Sequence, residues 1–193
     1  MYFFFDSAKK KQVKITNLIS GDFETDLSNF TPLSVTGTIE VSTSQKYTGN
    51  SSLKYAMSNN AGAQYIDITG NVGDKMYLCG MVNKQSGTAT ASALRMFDYG
   101  TTNAGYEVIS ANSVNSASNN WTFLSLVKAV AVGTTGIRVY IGSSIAQTVE
   151  YYLDSLCLIN LTQDFGLTTP TKAAIDTFIQ SKLGIGYFDT TKY

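Results

Sequence analysis

The chain has 193 residues, equal numbers of basic and acidic side chains at 14 each, and no histidine. The balanced charge argues against a nucleic-acid partner, because proteins that bind nucleic acids carry a basic patch. The absence of histidine removes the usual general base, most catalytic triads and most zinc sites. We therefore expect a protein that is not an enzyme.

Residues 1–16 form an aromatic tip, MYFFF, followed by four lysines within six positions. Such a segment is either a poorly ordered terminus or an arm that docks on a partner. The tip is too short for the apolar core of a signal peptide. No apolar run approaches the length that spans a membrane, so we expect a soluble protein without membrane insertion.

From Asn17 to Leu161 the chain consists of short apolar segments separated by polar turns at roughly eight- to twelve-residue spacing. Clear examples are QYIDI at 64–68, KMYLCGMV at 75–82, ALRMFDY at 93–99 and GIRVYIG at 136–142. No helical pattern lies between them. This arrangement predicts an all-β fold, an antiparallel β-sandwich of the jelly-roll type, rather than a parallel α/β sheet.

The segment Thr148–Leu161 reads TVEYYLDSLCLINL and predicts the last core strand, covered on both faces. Strict alternation divides its apolar side chains into two sets, Tyr152, Leu156 and Leu158 on one face and Tyr151, Leu153, Cys157 and Ile159 on the other. Asp154 interrupts the run. A buried carboxylate needs hydrogen-bond donors or a cation.

The cysteines Cys79 and Cys157 both lie in apolar strand-like segments. This setting favours two buried free thiols, although the sequence alone leaves a disulfide open.

The C-terminal tail, residues 162–193, contains the one good helical pattern. Thr169 and Pro170 predict a helix over Pro170–Leu183 with proline at its first helical position. Its apolar stripe contains Ala174, Ile175, Phe178 and Ile179. A helix this short is not stable alone, so the stripe must pack on its own sandwich or on a neighbouring subunit.

Four landmarks occur in one order: NLISGDFE from Asn17, TGNSSLKY from Thr48, the Asn120-Trp121-Thr122 start of an apolar strand, and EYYLDSLCL from Glu150. Together they resemble the carbohydrate-binding modules that have a galactose-binding-like jelly roll. The resemblance implies a binding domain over residues 17–161.

The tail sequence LTQDFGLTTPTKAAIDTFIQSKLGIGYFD is similar to a segment of phage tail and minor structural proteins, where it follows a jelly-roll module. That likeness implies a non-catalytic virion protein of a tail, baseplate or fibre. It would be assembled in the host cytoplasm, displayed on the virion surface, and would bind a host-surface glycan. Its partners would be other virion proteins and further copies of itself, trimers being common in phage fibres. Assembly would use the tail through Ile175, Phe178 and Ile179.

Two other functions fit the same resemblance. One is a capsid or tail decoration protein that uses the jelly roll for assembly only. The other is an ancillary carbohydrate-binding module of a bacterial glycosidase. Low charge, many Ser, Thr, Asn and Gly residues and two apolar ends suit a virion assembly surface, but they do not distinguish a glycan-binding virion protein from a decoration protein.

The modules that the chain resembles hold a structural calcium, and the resemblance places its ligands at Glu24 and Asp154. Calcium takes six to eight oxygen ligands from carboxylates and backbone carbonyls. In the alternative interpretation, Asp154 accepts hydrogen bonds from turn amides and Glu24 is exposed.

A sugar-binding platform is predicted from Arg95, Phe97, Tyr99, Tyr106, Arg138 and Tyr140, with Asp98 beside them. Sugars stack their C–H faces on aromatic rings, and their hydroxyls need charged or amide partners. In the alternative interpretation, Phe97 and Tyr140 are core residues and the two arginines pair with Asp98 and Glu107. Trp121, at the head of an apolar strand, is more typical of a core position.

Overall fold

The computed structural model describes residues 2–6, 11–19, 23, 27–33, 36–88, 93–100, 106–108, 120–166 and 169–183. The strands in these ranges are β1 Tyr2–Asp6, β2 Lys11–Ile15, β3 Thr31–Leu33, β4 Thr38–Ser42, β5 Ser52–Thr69, β6 Lys75–Thr88, β7 Leu94–Tyr99, β8 Tyr106–Val108, β9 Trp121–Ala129 and β10 Gly136–Asn160. Two helices follow, α1 Leu161–Phe165 and α2 Lys172–Leu183. No helix in this described part of the chain is long and apolar enough to cross a membrane.

The sheet is built around β10, which has 25 residues and pairs antiparallel with β5, β6 and β7. The segments 136–142 and 148–161, predicted as separate strands, are therefore halves of one strand. The long sheet curls where its register shifts between Ser143 and Val149. Gly142 lies at this bend with φ of +86°, and a Cβ there would come 2.4 Å from the ring of Tyr55, so only glycine fits.

The bend divides the sheet into two layers. The first layer contains β4, β6, β9, the first half of β5 and the second half of β10, and the second layer contains β3, β7, β8 and the other halves of β5 and β10. Side chains from both layers meet in one buried central core, which includes Leu53, Tyr55, Leu78, Leu94, Met96, Ile137, Ile141, Leu153 and Leu158. The predicted antiparallel β-sandwich is confirmed.

A second buried cluster covers the outer face of the first layer. Its sheet residues include Tyr77, Cys79, Cys157 and Ile159, and its cover comes from Val13, Ile15, Leu161, Phe165, Ile175 and Ile179. The closing half of β10 is therefore covered on both faces, as its apolar sequence predicted. In the N-terminal segment β1 pairs antiparallel with β2, and Val13 and Ile15 of β2 are packed into this cluster. The interpretation of a poorly ordered terminus is therefore wrong for these two strands.

A β-bulge changes which residues of β10 face each side. Ser155 has φ of +53°, and the register with β6 shifts by one residue between Asp154 and Cys157. As a result, Leu153 and Leu156 both point into the central core, while Cys157 joins the second cluster. The strict alternation predicted from the sequence is wrong beyond Asp154, because a bulge inserts one residue into the alternation.

Helix α2 begins at Lys172, and Thr171 acts as its N-cap by accepting a 3.3 Å hydrogen bond from the backbone N–H of Ala174. Pro170 therefore precedes the helix, and its predicted place at the first helical position is wrong. Of the predicted stripe, Ile175 and Ile179 are buried, Phe178 is half-buried and Ala174 is exposed. The two isoleucines are covered within one chain, without a second subunit.

Polar contacts fix the same helix on the first layer. The Tyr77 hydroxyl donates to Asp176 Oδ1 at 2.7 Å, and Lys172 Nζ donates to Asp176 Oδ2 at 2.6 Å. Lys172 also donates to Ser125 Oγ at 2.6 Å. The helix is thus attached to β6 and β9 by both apolar and polar contacts.

The thiols of Cys79 and Cys157 are free and buried, on residues that face each other across β6 and β10. Burial raises the pKa of the Cys157 thiol, and so does its hydrogen bond with Cys79. The prediction of two buried free thiols is confirmed.

Candidate functional site

The outer face of the second layer collects aromatic and charged side chains by simple strand pairing. Arg138 on β10 lies opposite Asp67 on β5 and Phe97 on β7. Tyr140 lies opposite Tyr65 and Arg95 on the same two strands. The intervening β10 residues point into the central core. Since side chains alternate along a strand, all these residues share the outward face.

The residues of this surface, here called the aromatic–arginine face, are Tyr65, Asp67, Arg95, Phe97, Tyr99, Arg138 and Tyr140. Tyr140 is at its centre, with its ring centre 5.0 Å from that of Phe97 in an edge-on contact and 5.7 Å from that of Tyr65. These rings are only partly buried. Partly exposed rings at different angles form a shallow apolar surface that a flat ligand can contact.

Arg138 is held by a two-pronged contact with Asp67. Its Nε donates to Oδ1 at 2.6 Å and its Nη2 donates to Oδ2 at 2.8 Å. The guanidinium carbon lies 4.1 Å from the ring centre of Tyr65 and 5.3 Å from that of Tyr99. The hydrogen bonds to Asp67 raise the pKa of Arg138. The charge of Arg138 is therefore balanced by a neighbouring carboxylate.

Arg95 is in a different situation. Its guanidinium carbon lies 5.1 Å from the ring centre of Tyr140 and 5.4 Å from that of Phe97, and the residue is only 9% exposed. Its Nε atom is buried and has no hydrogen-bond partner in the part of the chain that the structure describes. Burial lowers the pKa of Arg95. Over the same residues, no carboxylate forms an ion pair with it.

Five of the six residues predicted for a sugar platform are brought together here: Arg95, Phe97, Tyr99, Arg138 and Tyr140. The sixth, Tyr106, is paired with Phe97 through the backbone of β8, but its side chain lies outside the described residues. The sequence-based prediction missed Tyr65 and Asp67. Their alternation in QYIDI was visible, but the pairing of β5 with β10 was not.

The alternative interpretation of the two arginines is wrong for Asp98. Asp98 lies on the core side of β7, where its carboxylate pairs with Lys128 Nζ at 3.1 Å and accepts from the N–H of Ala131 at 3.3 Å. Glu107 is in register with Met96, and its side chain lies outside the described residues. Phe97 and Tyr140 contribute to the outer face and not to the central core.

Asp154 binds backbone N–H groups. Its Oδ2 accepts from Tyr47 at 2.8 Å and from Thr48 at 3.0 Å, and its Oδ1 accepts from Ser155. These bonds tie the loop after β4 to the closing strand. Glu24, the other predicted calcium ligand, lies outside the described residues, and no group of three or more metal-ligating side chains occurs among those described. The calcium site stays a prediction.

A groove of about 380 Å³ lies elsewhere, between β4, β5 and β10. It is lined by small or polar residues such as Gly37, Thr38, Asn60 and Thr148, with Met57 and Glu150. None of its described lining residues has an aromatic ring to stack on a sugar, and we assign no ligand to it.

Solved structures share this fold. A xylan-binding domain, CBM22-1 from Paenibacillus barcinonensis, is similar with a TM-score of 0.56 and 18% identity over 77% of this chain and 96% of its own. A family 16 carbohydrate-binding module has a TM-score of 0.57 at 11% identity over 74% of this chain and 99% of its own. The enzymatically active domain of tailspike protein 4 from bacteriophage CBA120 has a TM-score of 0.50 at 17% identity, over 74% of this chain and 21% of its own.

No family model matches the sequence, and no curated protein matches it closely. At such low identities the structural matches establish the fold alone. That fold is the β-sandwich of carbohydrate-binding modules, as the four sequence landmarks predicted.

Proposed function

We propose that this protein is a non-catalytic glycan-binding module and that the aromatic–arginine face is its binding surface. The observation that carries the proposal is the group of partly exposed rings around Tyr140, flanked by two guanidinium groups. Sugar C–H faces stack on such rings, and sugar hydroxyls bind charged donors beside them. The open surface between strands suits a polysaccharide chain better than a small enclosed ligand.

Binding without hydrolysis is favoured by the chemistry of this face. Glycoside hydrolysis requires two carboxyl groups on either side of the scissile bond. Among the described residues of the face, the one carboxylate is Asp67, and both of its oxygens are held by Arg138. A carboxylate fixed in this way is poorly placed to act as an acid, a base or a nucleophile.

The similar structures support a glycan as the ligand class. Their names describe one as a xylan-binding domain and another as a family 16 carbohydrate-binding module. The resemblance lies in the fold, and the aromatic–arginine face gives this chain a surface of suitable chemistry.

For the biological setting, we propose a phage virion protein that displays this surface toward the host, assembled with other virion proteins and with further copies of itself. The support is the tail sequence from Leu161, which is similar to phage tail proteins, and the fold shared with a phage tailspike domain. A decoration protein that uses the fold for assembly only, or an ancillary module of a glycosidase, are the competing settings.

The proposed function is tested on a glycan array with the whole chain and two variants. We expect binding to at least one polysaccharide, and we expect Tyr140→Ala to weaken it at least about tenfold, which corresponds to ~1.4 kcal/mol. The matched control is Tyr47→Ala, which also removes a half-buried ring, here packed on Trp121. Equal loss in both variants, or no binding by the wild type, would contradict the proposal.

A further inference from the structure

We infer that the aromatic–arginine face takes a glycan that carries carboxylate groups, a uronic-acid polymer, with Arg95 as the residue that binds the carboxylate. This inference rests on the proposed function, because it specifies the ligand of the same surface. It depends on the contrast between the two arginines of the face.

The charges on the face do not cancel within the described residues. Arg138 is neutralised by Asp67, with which it shares two short hydrogen bonds. Arg95 has no such partner there, so two guanidinium groups face one carboxylate. One positive charge is left for a ligand to balance.

The environment of Arg95 makes this charge unusual. Lys and Arg are almost never fully buried unless they are paired. Arg95 is 9% exposed, its Nε donor has no acceptor in the described ranges, and two aromatic rings lie within 5.4 Å of its guanidinium carbon. Nearby charges interact more strongly where water is excluded. An arriving anion would therefore gain more here than at an exposed arginine.

A carboxylate meets the requirements of this site better than a sugar hydroxyl does. A hydroxyl can accept one hydrogen bond but leaves the charge unbalanced. The planar guanidinium fork matches the two oxygens of a carboxylate and forms charge-assisted hydrogen bonds with them. Stacking on Phe97 and Tyr140 would at the same time hold the sugar ring that carries the carboxylate.

The test compares acidic polysaccharides with their own neutral forms. The whole chain is titrated with polygalacturonate and with alginate, and with the same polymers after complete methyl esterification, which keeps the backbone and removes the charge. We expect at least tenfold tighter binding to the acidic forms. Equal binding of both forms, or binding only to neutral polymers of the array, would overturn the carboxylate inference and leave the proposed function intact. No binding to any acidic or neutral glycan would overturn both.

Substitutions at Arg95 test whether this residue causes the preference for acidic polysaccharides. We expect Arg95→Gln to bring the ratio of acidic to esterified affinity close to one, and Arg95→Lys to retain part of the preference because it keeps the charge. The matched control is Lys46→Gln, which removes one positive charge from an exposed loop position away from this face. Melting curves verify that each variant is folded. A preference that survives Arg95→Gln, or that falls equally in Lys46→Gln, would show that general charge attraction rather than Arg95 is responsible.

Discussion

The guanidinium carbon of Arg95 lies 5.1 Å from the ring centre of Tyr140. Arg95 is buried, and no carboxylate among the described residues pairs with it. An unsatisfied buried polar group lowers stability by about 1–3 kcal/mol. We therefore expect Arg95→Met, which keeps an unbranched apolar side chain and removes the guanidinium group, to raise the free energy of unfolding while it removes the preference for acidic over esterified glycans. Urea denaturation measures the first effect and the glycan titration the second.

The control for this prediction is Arg138→Met. That change leaves Asp67 without its two donors, so we expect the free energy of unfolding to fall, by no more than about 1 kcal/mol because the pair is partly exposed. If Arg95→Met destabilises the protein as Arg138→Met does, Arg95 has a structural role and its free charge is not reserved for a ligand.

The tail helix should contribute to the stability of the single chain. Ile179 is fully buried in the second cluster with Ile175 and the sheet residues Tyr77 and Cys79. We expect Ile179→Ala to lower the free energy of unfolding by about 2–5 kcal/mol, the range for truncating a buried isoleucine. The control is Gln180→Ala at the adjacent exposed position, where little change is expected.

The same pair of variants addresses assembly. If the helix binds another copy or another virion protein, it does so by surfaces other than the two buried isoleucines, such as the half-buried Phe178. Sedimentation should then show that the folded Ile179→Ala variant has the same oligomeric state as the wild type. Loss of assembly without loss of stability would mean that Ile179 is exposed to partners, contrary to the packing described above.

Asp154 gives a prediction about the closing strand. Asp154→Ala would leave the backbone N–H groups of Tyr47, Thr48 and Ser155 without their acceptor. We expect a loss of about 1–3 kcal/mol for each donor left buried and unsatisfied, measured by urea denaturation in the presence of chelator. An unchanged midpoint would show that water replaces the carboxylate at this loop.

The calcium prediction is tested separately with Glu24. If calcium binds the native state, it raises the melting temperature, and a hundredfold excess over the dissociation constant contributes about 2.7 kcal/mol. Glu24→Gln should remove the response to calcium while leaving the chelator-treated protein as stable as the wild type. If chelator does not move the wild-type melting curve, the site is absent.

The contacts of Asp176 predict a pH dependence. Burial of this carboxyl group would raise its pKa, but hydrogen bonds from Lys172, Tyr77 and Ser125 outweigh burial and lower it. A pKa that is lower in the folded state stabilises the protein above the unfolded pKa of about 3.9, and the contribution is lost as the pH falls through the folded pKa. We expect the stability difference between the wild type and Asp176→Asn to be constant near neutral pH and to shrink below about pH 4. If the stability difference between the two proteins stays constant down to pH 2, Asp176 does not have the lowered pKa described here.

Much of the fold was accessible from the sequence because alternation and turn residues are local signals. KMYLCGMV became β6 and ALRMFDY became β7, and the two-sided apolar pattern of residues 148–161 corresponded to a strand covered on both faces. The continuity of β10 was not accessible, because SSIAQ at 143–147 resembles a turn. The strand continues through this segment because β5 pairs with β10 on both sides of it, at Ser143 and again at Gln147.

Part of the candidate site was also predicted from alternation, which is a local signal within each strand. Arg95, Phe97 and Tyr99 share a face by alternation within one strand, and Arg138 and Tyr140 do so within another. Asp67 was missed as the partner of Arg138 because strand pairing is a tertiary property, and 71 residues separate the two in sequence. For Asp154, the requirement for donors was predicted from burial, whereas the identity of those donors depended on the path of a distant loop.

The bulge at Ser155 has a consequence for how this gene can vary. Deleting that single codon would restore simple alternation, and Leu156 and Leu158 would still face the central core while Cys157 and Ile159 faced the second cluster. Inserting one codon after Cys157 would have the opposite effect, because Leu158 and Ile159 would then turn to the other side of the sheet. Two packed regions would be disrupted by that one insertion, although no apolar residue had been removed. The closing strand should therefore tolerate the loss of its bulge residue far better than the gain of a residue beyond the bulge.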